Sequence, residues 1–257
     1  MMHIGLIGYG SIGRALHERL RQDPQARFTA LVRSEPSPMP EDLVTVRSVP
    51  EFLARAPDLC VECAGHAAVH DHAEAILKSG RALMLASVGA LADSDLYARL
   101  QNAMKHSGGQ ILLPSGAIGG LDLLCAVSGD GACSVSYQGI KPPAAWKGSP
   151  AEARVDLDSI NEATPFFEGS ARDAALAFPK NANVVAALAL AGGGFDAMTV
   201  ALIADPEARG NTHRYTVTSP YCSYEMVVEN TPTAGNARTS VTTVLSLMND
   251  INRFFGR

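Results

Sequence analysis

The chain has 257 residues, of which 47% are hydrophobic and 18% charged, with a net charge of -5. That balance supports one large or two modest domains and excludes a disordered chain. The acidic excess argues against nucleic-acid binding, no apolar run is long enough to suggest a membrane span, and five cysteines without a basic apolar leader read as reduced thiols in a cytoplasmic protein.

The apolar run His3 to Ile7 is predicted as a buried strand. It leads into Gly8-x-Gly10-x-x-Gly13, and a helix is predicted from Arg14 to Leu20. Strand, glycine turn and helix together form a dinucleotide-binding fingerprint. Gly8 permits the tight turn, Gly10 lets a pyrophosphate approach the backbone, and Gly13 lets the helix pack closely on the strand. Gly8, Gly10, Ser11, Ile12 and Gly13 are therefore candidate cofactor contacts, with the helix N-terminus turned to the phosphates.

Arg27 to Val32 is the second predicted strand. An acidic residue at its end would bond the ribose 2′-hydroxyl of NAD, whereas an arginine accommodates the 2′-phosphate of NADP. This chain has Arg33-Ser34, with Glu35 one place later, so NADP is expected to be accepted. A proline-rich loop (Glu35 to Pro40) and a short helix (Val49 to Arg55) follow.

Asp58 to Gly65 reads as a strand with its turn, Ala67 to Lys78 as a helix, and Arg81 to Ser87 as a strand. Asp93 to His106 reads as a helix and Gln110 to Pro114 as a further strand. This alternation predicts a doubly wound parallel sheet of Rossmann type over residues 1–115. Ligands on such a sheet bind beyond the strand C-termini, which adds Ala64, Gly65, Ser87 and Val88 to the cofactor candidates. The turn Ser115 to Gly120 is expected to line the same crevice. Cys60, Cys63, His66, His70 and His72 have the residue types of zinc ligands. Strand alternation sets the two cysteines on opposite faces, so no metal is expected.

Beyond residue 115 the pattern changes. Strand-like runs at Cys133 to Ile140, Met198 to Ala204, Thr212 to Thr218 and Tyr224 to Glu229 surround two helix candidates, Ala171 to Phe178 and Asn183 to Ala191. They predict an α+β domain on a largely antiparallel sheet over residues 116–235. Residues 236–257 are predicted as a tail whose helix, Arg238 to Phe255, returns to the first domain.

Six stretches stand out: Gly8-Tyr-Gly-Ser-Ile-Gly13, Glu62-Cys-Ala-Gly65, Ser87-Val-Gly-Ala-Leu91, Pro114-Ser-Gly-Ala-Ile-Gly-Gly-Leu-Asp122, Pro179-Lys-Asn-Ala-Asn183 and Asp205-Pro-x-x-x-x-Asn211-x-His213. In this order they resemble the L-aspartate dehydrogenase family nearly end to end. The resemblance implies oxidative deamination of L-aspartate to iminoaspartate with NAD or NADP. The imine then hydrolyses to oxaloacetate and ammonia, or feeds NAD biosynthesis. It also implies a homodimer, His213 as the catalytic residue, and Ala117 and Asn183 as cofactor contacts. The second-strand end departs from the family's acidic residue.

The residues themselves admit this chemistry. A group that takes and returns a proton near neutral pH is best supplied by histidine. His213 shares a strand face with Tyr215 and Val217, which equally suits a satisfied core histidine. Asn181 and Asn183 precede an apolar helix, where asparagine also serves as an N-cap. Two substrate carboxylates call for cations or aimed donors. Lys180, Arg214, Lys141 and Arg172 are the candidates, Lys180 ranking first by its motif, with Asn211 as a further substrate contact. Competing readings are a homoserine dehydrogenase-like or dihydrodipicolinate reductase-like enzyme, or a non-catalytic NAD(P)H sensor.

Overall fold

Strands of the first third lie side by side because the central ones are buried on both faces and nearly all their residues are apolar. The computed structural model describes residues 1–129, 132–231 and 241–257, with Lys180 described in its backbone alone. Two units divide the chain: residues 1–114 with 243–257, and residues 115–242.

In the first unit the elements run β1 (Met2–Ile7), α1 (Ser11–Leu20), β2 (Ala26–Leu31), β3 (Leu43–Val46), α2 (Val49–Ala54), β4 (Leu59–Glu62), α3 (His66–Lys78), β5 (Ala82–Leu85), α4 (Ser94–Ser107) and β6 (Gln110–Leu112). The sheet order is β3-β2-β1-β4-β5-β6, and the pairings are parallel. This is the dinucleotide-fold order with β1 at its centre. Helix ends follow local chemistry. Asp93 caps α4 by accepting from the Asp95 and Leu96 amides, and Gly108 closes it at φ +75°.

β3 has no counterpart among the predicted strands. Four residues are too few to show a period, and Val44 is exposed at the sheet edge. The strand predicted across Asp58 to Gly65 also ends sooner, at Glu62. Cys63 therefore sits in the turn and not on a strand face.

The last helix, α9 (Val241–Phe254), buries Val244, Leu247 and Ile251 in the core formed by Ile4, Leu6, Phe28 and Val61. Its spacing of three and four residues puts these on one stripe, and each contributes about 1.5–3 kcal/mol when buried. The predicted helix start, Arg238 to Ser240, lies outside the described residues.

The second unit runs α5 (Leu121–Ser128), β7 (Ser134–Lys141), α6 (Pro143–Trp146), β8 (Thr164–Ser170), α7 (Ala171–Ala177), α8 (Ala182–Leu188), β9 (Thr199–Ala204), β10 (Asn211–Thr218) and β11 (Ser223–Asn230). Its sheet order is β11-β10-β7-β9-β8, antiparallel except where β7 meets β9. Alternation buries Val135, Tyr137, His213, Tyr215 and Val217 on one face. Ser136, Arg214 and Thr216 lie on the other.

β8 also went unpredicted. It carries Pro165, and its pairing with β9 shifts register between Pro165 and Phe167. Such a strand belongs at a sheet edge, where this one lies. The helix predicted as Asn183 to Ala191 ends earlier, and a wider helical turn, Ala189–Gly193, carries the chain to Gly194 at φ +67°.

Candidate active site

β1 delivers the chain to Gly8, whose φ of +91° favours glycine, and an added Cβ there would meet Ala64 at 2.6 Å. A Cβ at Gly13 would meet the Gly8 carbonyl oxygen at 2.7 Å, so the helix packs on the turn only because that atom is missing. At Gly10 an added Cβ would meet nothing within 4 Å. The approach to the backbone at the start of α1 is therefore open, which suits a pyrophosphate held by helix N–H groups. Ser11 is exposed there, and Ile12 packs inward on the core. Tyr9, between the glycines, is anchored by a 2.6 Å bond between its hydroxyl and Nδ1 of the buried His17.

The neighbouring turns are tied by one side chain. Glu62, 1% exposed at the end of β4, accepts through Oε1 from the amides of Ala64 and Gly65, both at 2.7 Å. It also accepts from the Ser87 amide at 2.9 Å and the Ser87 hydroxyl at 3.1 Å. Burial pushes the Glu62 carboxyl above its ordinary pKa, and these donors oppose that shift. Ala64, Gly65, Ser87 and Val88 thus stand at adjacent strand ends, with Val88 buried and Ala64 exposed. The sequence signal for this role is a lone acid at the end of an apolar strand, within Glu62-Cys-Ala-Gly65.

Cys63 donates through Sγ to the Gly8 carbonyl at 3.3 Å, and burial raises both its thiol and that of Cys60. Among the described residues no three His, Cys, Asp or Glu side chains are placed to hold a metal ion. At the end of β2, Arg33 and Ser34 are exposed. Glu35 is engaged by the Thr45 hydroxyl at 2.7 Å and faces Arg47 at 3.4 Å.

In the second unit the side chains converge on His213, 5% exposed on β10. Its Nδ1 is 2.6 Å from the Tyr137 hydroxyl on β7, and its Nε2 is 3.1 Å from the Asn211 side-chain nitrogen. The Asn211 Oδ1 is buried without a hydrogen-bond partner among the described residues. Burial first, and the Lys141 ammonium second, lower the His213 pKa from 6.5 to about 3. The imidazole is therefore neutral at any ordinary working pH, one nitrogen a donor and the other an acceptor. The Asn211 nitrogen can only donate, so Nε2 accepts and Nδ1 donates its proton to the oxygen of Tyr137, whose phenol burial raises.

Among the cation candidates whose side chains are described, Lys141 lies beside this group: its Nζ donates to Asn181 Oδ1 and lies 4.8 Å from the centroid of the Trp146 ring. Asn181 stands at the N-cap of α8, but its side chain makes no cap bond, contrary to the expectation for an asparagine there. Asn183 is exposed in the first turn of α8. Arg214 is on the opposite sheet face, near Glu225 at 4.0 Å, and Arg172 pairs with Asp196 at 2.6 Å. Ala117 is buried in the Ser115–Gly120 turn. That turn rests on the sheet through the Tyr215 hydroxyl, which donates to the Gly119 carbonyl at 2.8 Å.

A central-β1 parallel sheet with this glycine turn defines a dinucleotide-binding protein, here joined to an α+β unit with a buried histidine centre. The profile of the family described as "Aspartate dehydrogenase, C-terminal" matches residues 122–254, and that described as "Homoserine dehydrogenase, NAD binding domain" matches residues 8–114. An L-aspartate dehydrogenase of Cupriavidus necator is 42% identical over 96% of each chain, and one of Pseudomonas aeruginosa 41% identical over 96% of each. The crystal structure of aspartate dehydrogenase from Thermotoga maritima superposes with a TM-score of 0.80, at 30% identity, covering 98% of this chain and 96% of that one. A hyperthermophilic archaeal homoserine dehydrogenase shares the fold at a TM-score of 0.62 and 11% identity. The chain belongs to the L-aspartate dehydrogenase family.

Proposed function

We propose that this protein oxidises L-aspartate with NAD or NADP to iminoaspartate, which water converts to oxaloacetate and ammonia. The observation that carries the reading is His213, held through both ring nitrogens by Tyr137 and Asn211 within the profile-matched segment. When bound, the nicotinamide supplies the hydride acceptor. Gly8, Gly10, Ser11, Ile12 and Gly13 would hold the pyrophosphate, and Ala64, Gly65, Ser87 and Val88 the nicotinamide side. Ala117 and Asn183 are proposed as further cofactor contacts.

His213 takes a proton from the water that attacks the imine carbon and returns it to the departing amine. Tyr137 exchanges a hydrogen bond with Nδ1 as the ring changes charge. Asn211 is positioned to accept from the substrate amine through Oδ1, the atom left without a partner among the described residues. Lys180, in the Pro179–Asn183 motif, is proposed as one carboxylate-binding cation.

Arg33 supports acceptance of NADP: it is exposed at the end of β2, while Glu35 is engaged with Thr45 and Arg47. We also propose a cytoplasmic homodimer. The resemblance supports the pairing, and the outer sheet face exposes Arg214, Glu225 and Val227. No described helix is long and apolar enough to cross a membrane.

The test is reduction of each nicotinamide on adding L-aspartate to the purified protein. Absorbance growth that needs aspartate is expected with both cofactors. Arg33→Ala should weaken NADP about tenfold relative to NAD by removing a charge-assisted phosphate contact. No growth with either cofactor, and none in reverse with oxaloacetate and ammonia, refutes the reaction. An unchanged cofactor ratio refutes the role of Arg33.

A further inference from the structure

We propose that Lys141 is the cation that grips one carboxylate of the dicarboxylate substrate, held in place by Asn181 and the Trp146 ring. The inference rests on the aspartate dehydrogenase reading of the His213 centre and names the group that recognises its substrate class.

Lys141 is the last residue of β7, directly after Ile140, which pairs with Thr212. The strand pairing therefore sets Lys141 at the Asn211–His213 end of β10. Among the described residues its ammonium meets the Asn181 amide oxygen and the Trp146 ring, both neutral. Among the described residues no Asp or Glu pairs with it. Trp146 is itself immobile: it is 0% exposed, its indole N–H donates to the Ile203 carbonyl at 3.0 Å, and Phe166 and Phe178 pack edge-on against it.

A desolvated ammonium without an anion costs stability, and folded chains ordinarily pair such a charge or leave it in water. Here burial lowers the Lys141 pKa from 10.5 to about 8, and no acid among the described residues raises it again. The group is nonetheless mostly charged at neutral pH. Its charge is felt at His213, where it is the second cause of the depressed imidazole pKa. A preorganised cation beside the proposed proton carrier, lacking only its anion, matches what a substrate carboxylate brings. The arrangement also gives the Pro179–Asn183 motif a second use. Asn181 aims Lys141 instead of capping α8.

The experiment measures succinate, a dicarboxylate with no amine to oxidise, binding by calorimetry to the whole protein saturated with reduced nicotinamide cofactor. Aspartate kinetics and thermal melting accompany it. Lys141→Met is expected to keep cofactor affinity, melt at or above the wild-type temperature, and lose succinate affinity by about 30-fold or more. The KM for aspartate should rise in parallel. Asn181→Asp retains the lysine but gives it a resident carboxylate, and it should weaken succinate about tenfold or more.

If Lys141→Met does not fold, Asn181→Asp decides alone. A wild type that turns aspartate over, with succinate affinity within about threefold in every folded variant, overturns the assignment of Lys141 and leaves the reaction standing. A wild type that neither oxidises aspartate nor binds succinate overturns both.

Discussion

The turn after β1 and the cluster around His213 are built from different materials. At the turn, backbone does the work: N–H groups at the start of α1, a missing Cβ at Gly10, and a carboxylate, Glu62, whose oxygens meet donors from Ala64, Gly65 and Ser87. Around His213, side chains from β7, β10 and the start of α8 meet, and two polar groups are left wanting. The Asn211 Oδ1 has no partner among the described residues, and Lys141 has no anion there. A site that binds the same cofactor in many proteins can be built from backbone groups and missing side chains. A site that must recognise one small dicarboxylate keeps part of its hydrogen-bonding and charge unspent for it.

That contrast can be broken by substitution. The largest effect is expected at His213→Ala, where loss of the proton carrier should lower kcat by about 100-fold or more. Reduced-cofactor binding, followed by fluorescence, should be unchanged. A variant with near-normal turnover would remove His213 from the mechanism and reduce the cluster to a core contact.

Next come two glycines of one turn with opposite expectations. Gly10→Ala places a methyl in open space, so the melting temperature should hold while cofactor affinity drops about tenfold as the pyrophosphate is pushed away. Gly13→Ala drives a Cβ against the Gly8 carbonyl oxygen at 2.7 Å, so stability itself should fall by about 1–3 kcal/mol. Equal stability in both variants would contradict the division of labour between these glycines.

The effect least visible at working pH is in the acid limb of unfolding, because it opens only below pH 6.5. The unfolded chain takes a proton on this histidine below pH 6.5, whereas folded His213 refuses it until about pH 3. Below 6.5 the unfolded state therefore binds more protons, and stability falls as the pH drops through that window. His213→Gln should flatten the fall between pH 6.5 and 3, measured by denaturant unfolding at each pH. An unchanged slope would mean that the ring is not held neutral.

Reading the sequence succeeded where function depends on local backbone. The Gly8–Gly13 turn, the strands flanking it and the helix after it are contiguous, and a glycine's role follows from its own missing side chain. It failed at β3, a four-residue edge strand that follows the proline-rich loop, and at β8, which contains Pro165. His213 was legible through its motif, but Tyr137 was not, because a tyrosine 76 positions away in the chain becomes a partner only through β7–β10 pairing.

The ranking of cations shows the same limit. Lys180 was preferred for its place in a motif, and its side chain falls outside the described residues. Lys141 was one basic residue among several until strand pairing carried it to the Asn211–His213 end of β10, beside a tryptophan from the next helix. By itself, then, the sequence determined the dinucleotide fold, the glycine turn, the family and the candidate histidine, since each is written in neighbouring residues. Tertiary structure alone decided that Glu62 ties the strand ends, that Tyr137 holds the imidazole and that Lys141 meets no anion among the described residues. Burial and partnership are set by residues distant in the chain, and they are what shift a pKa or leave a hydrogen bond to be made.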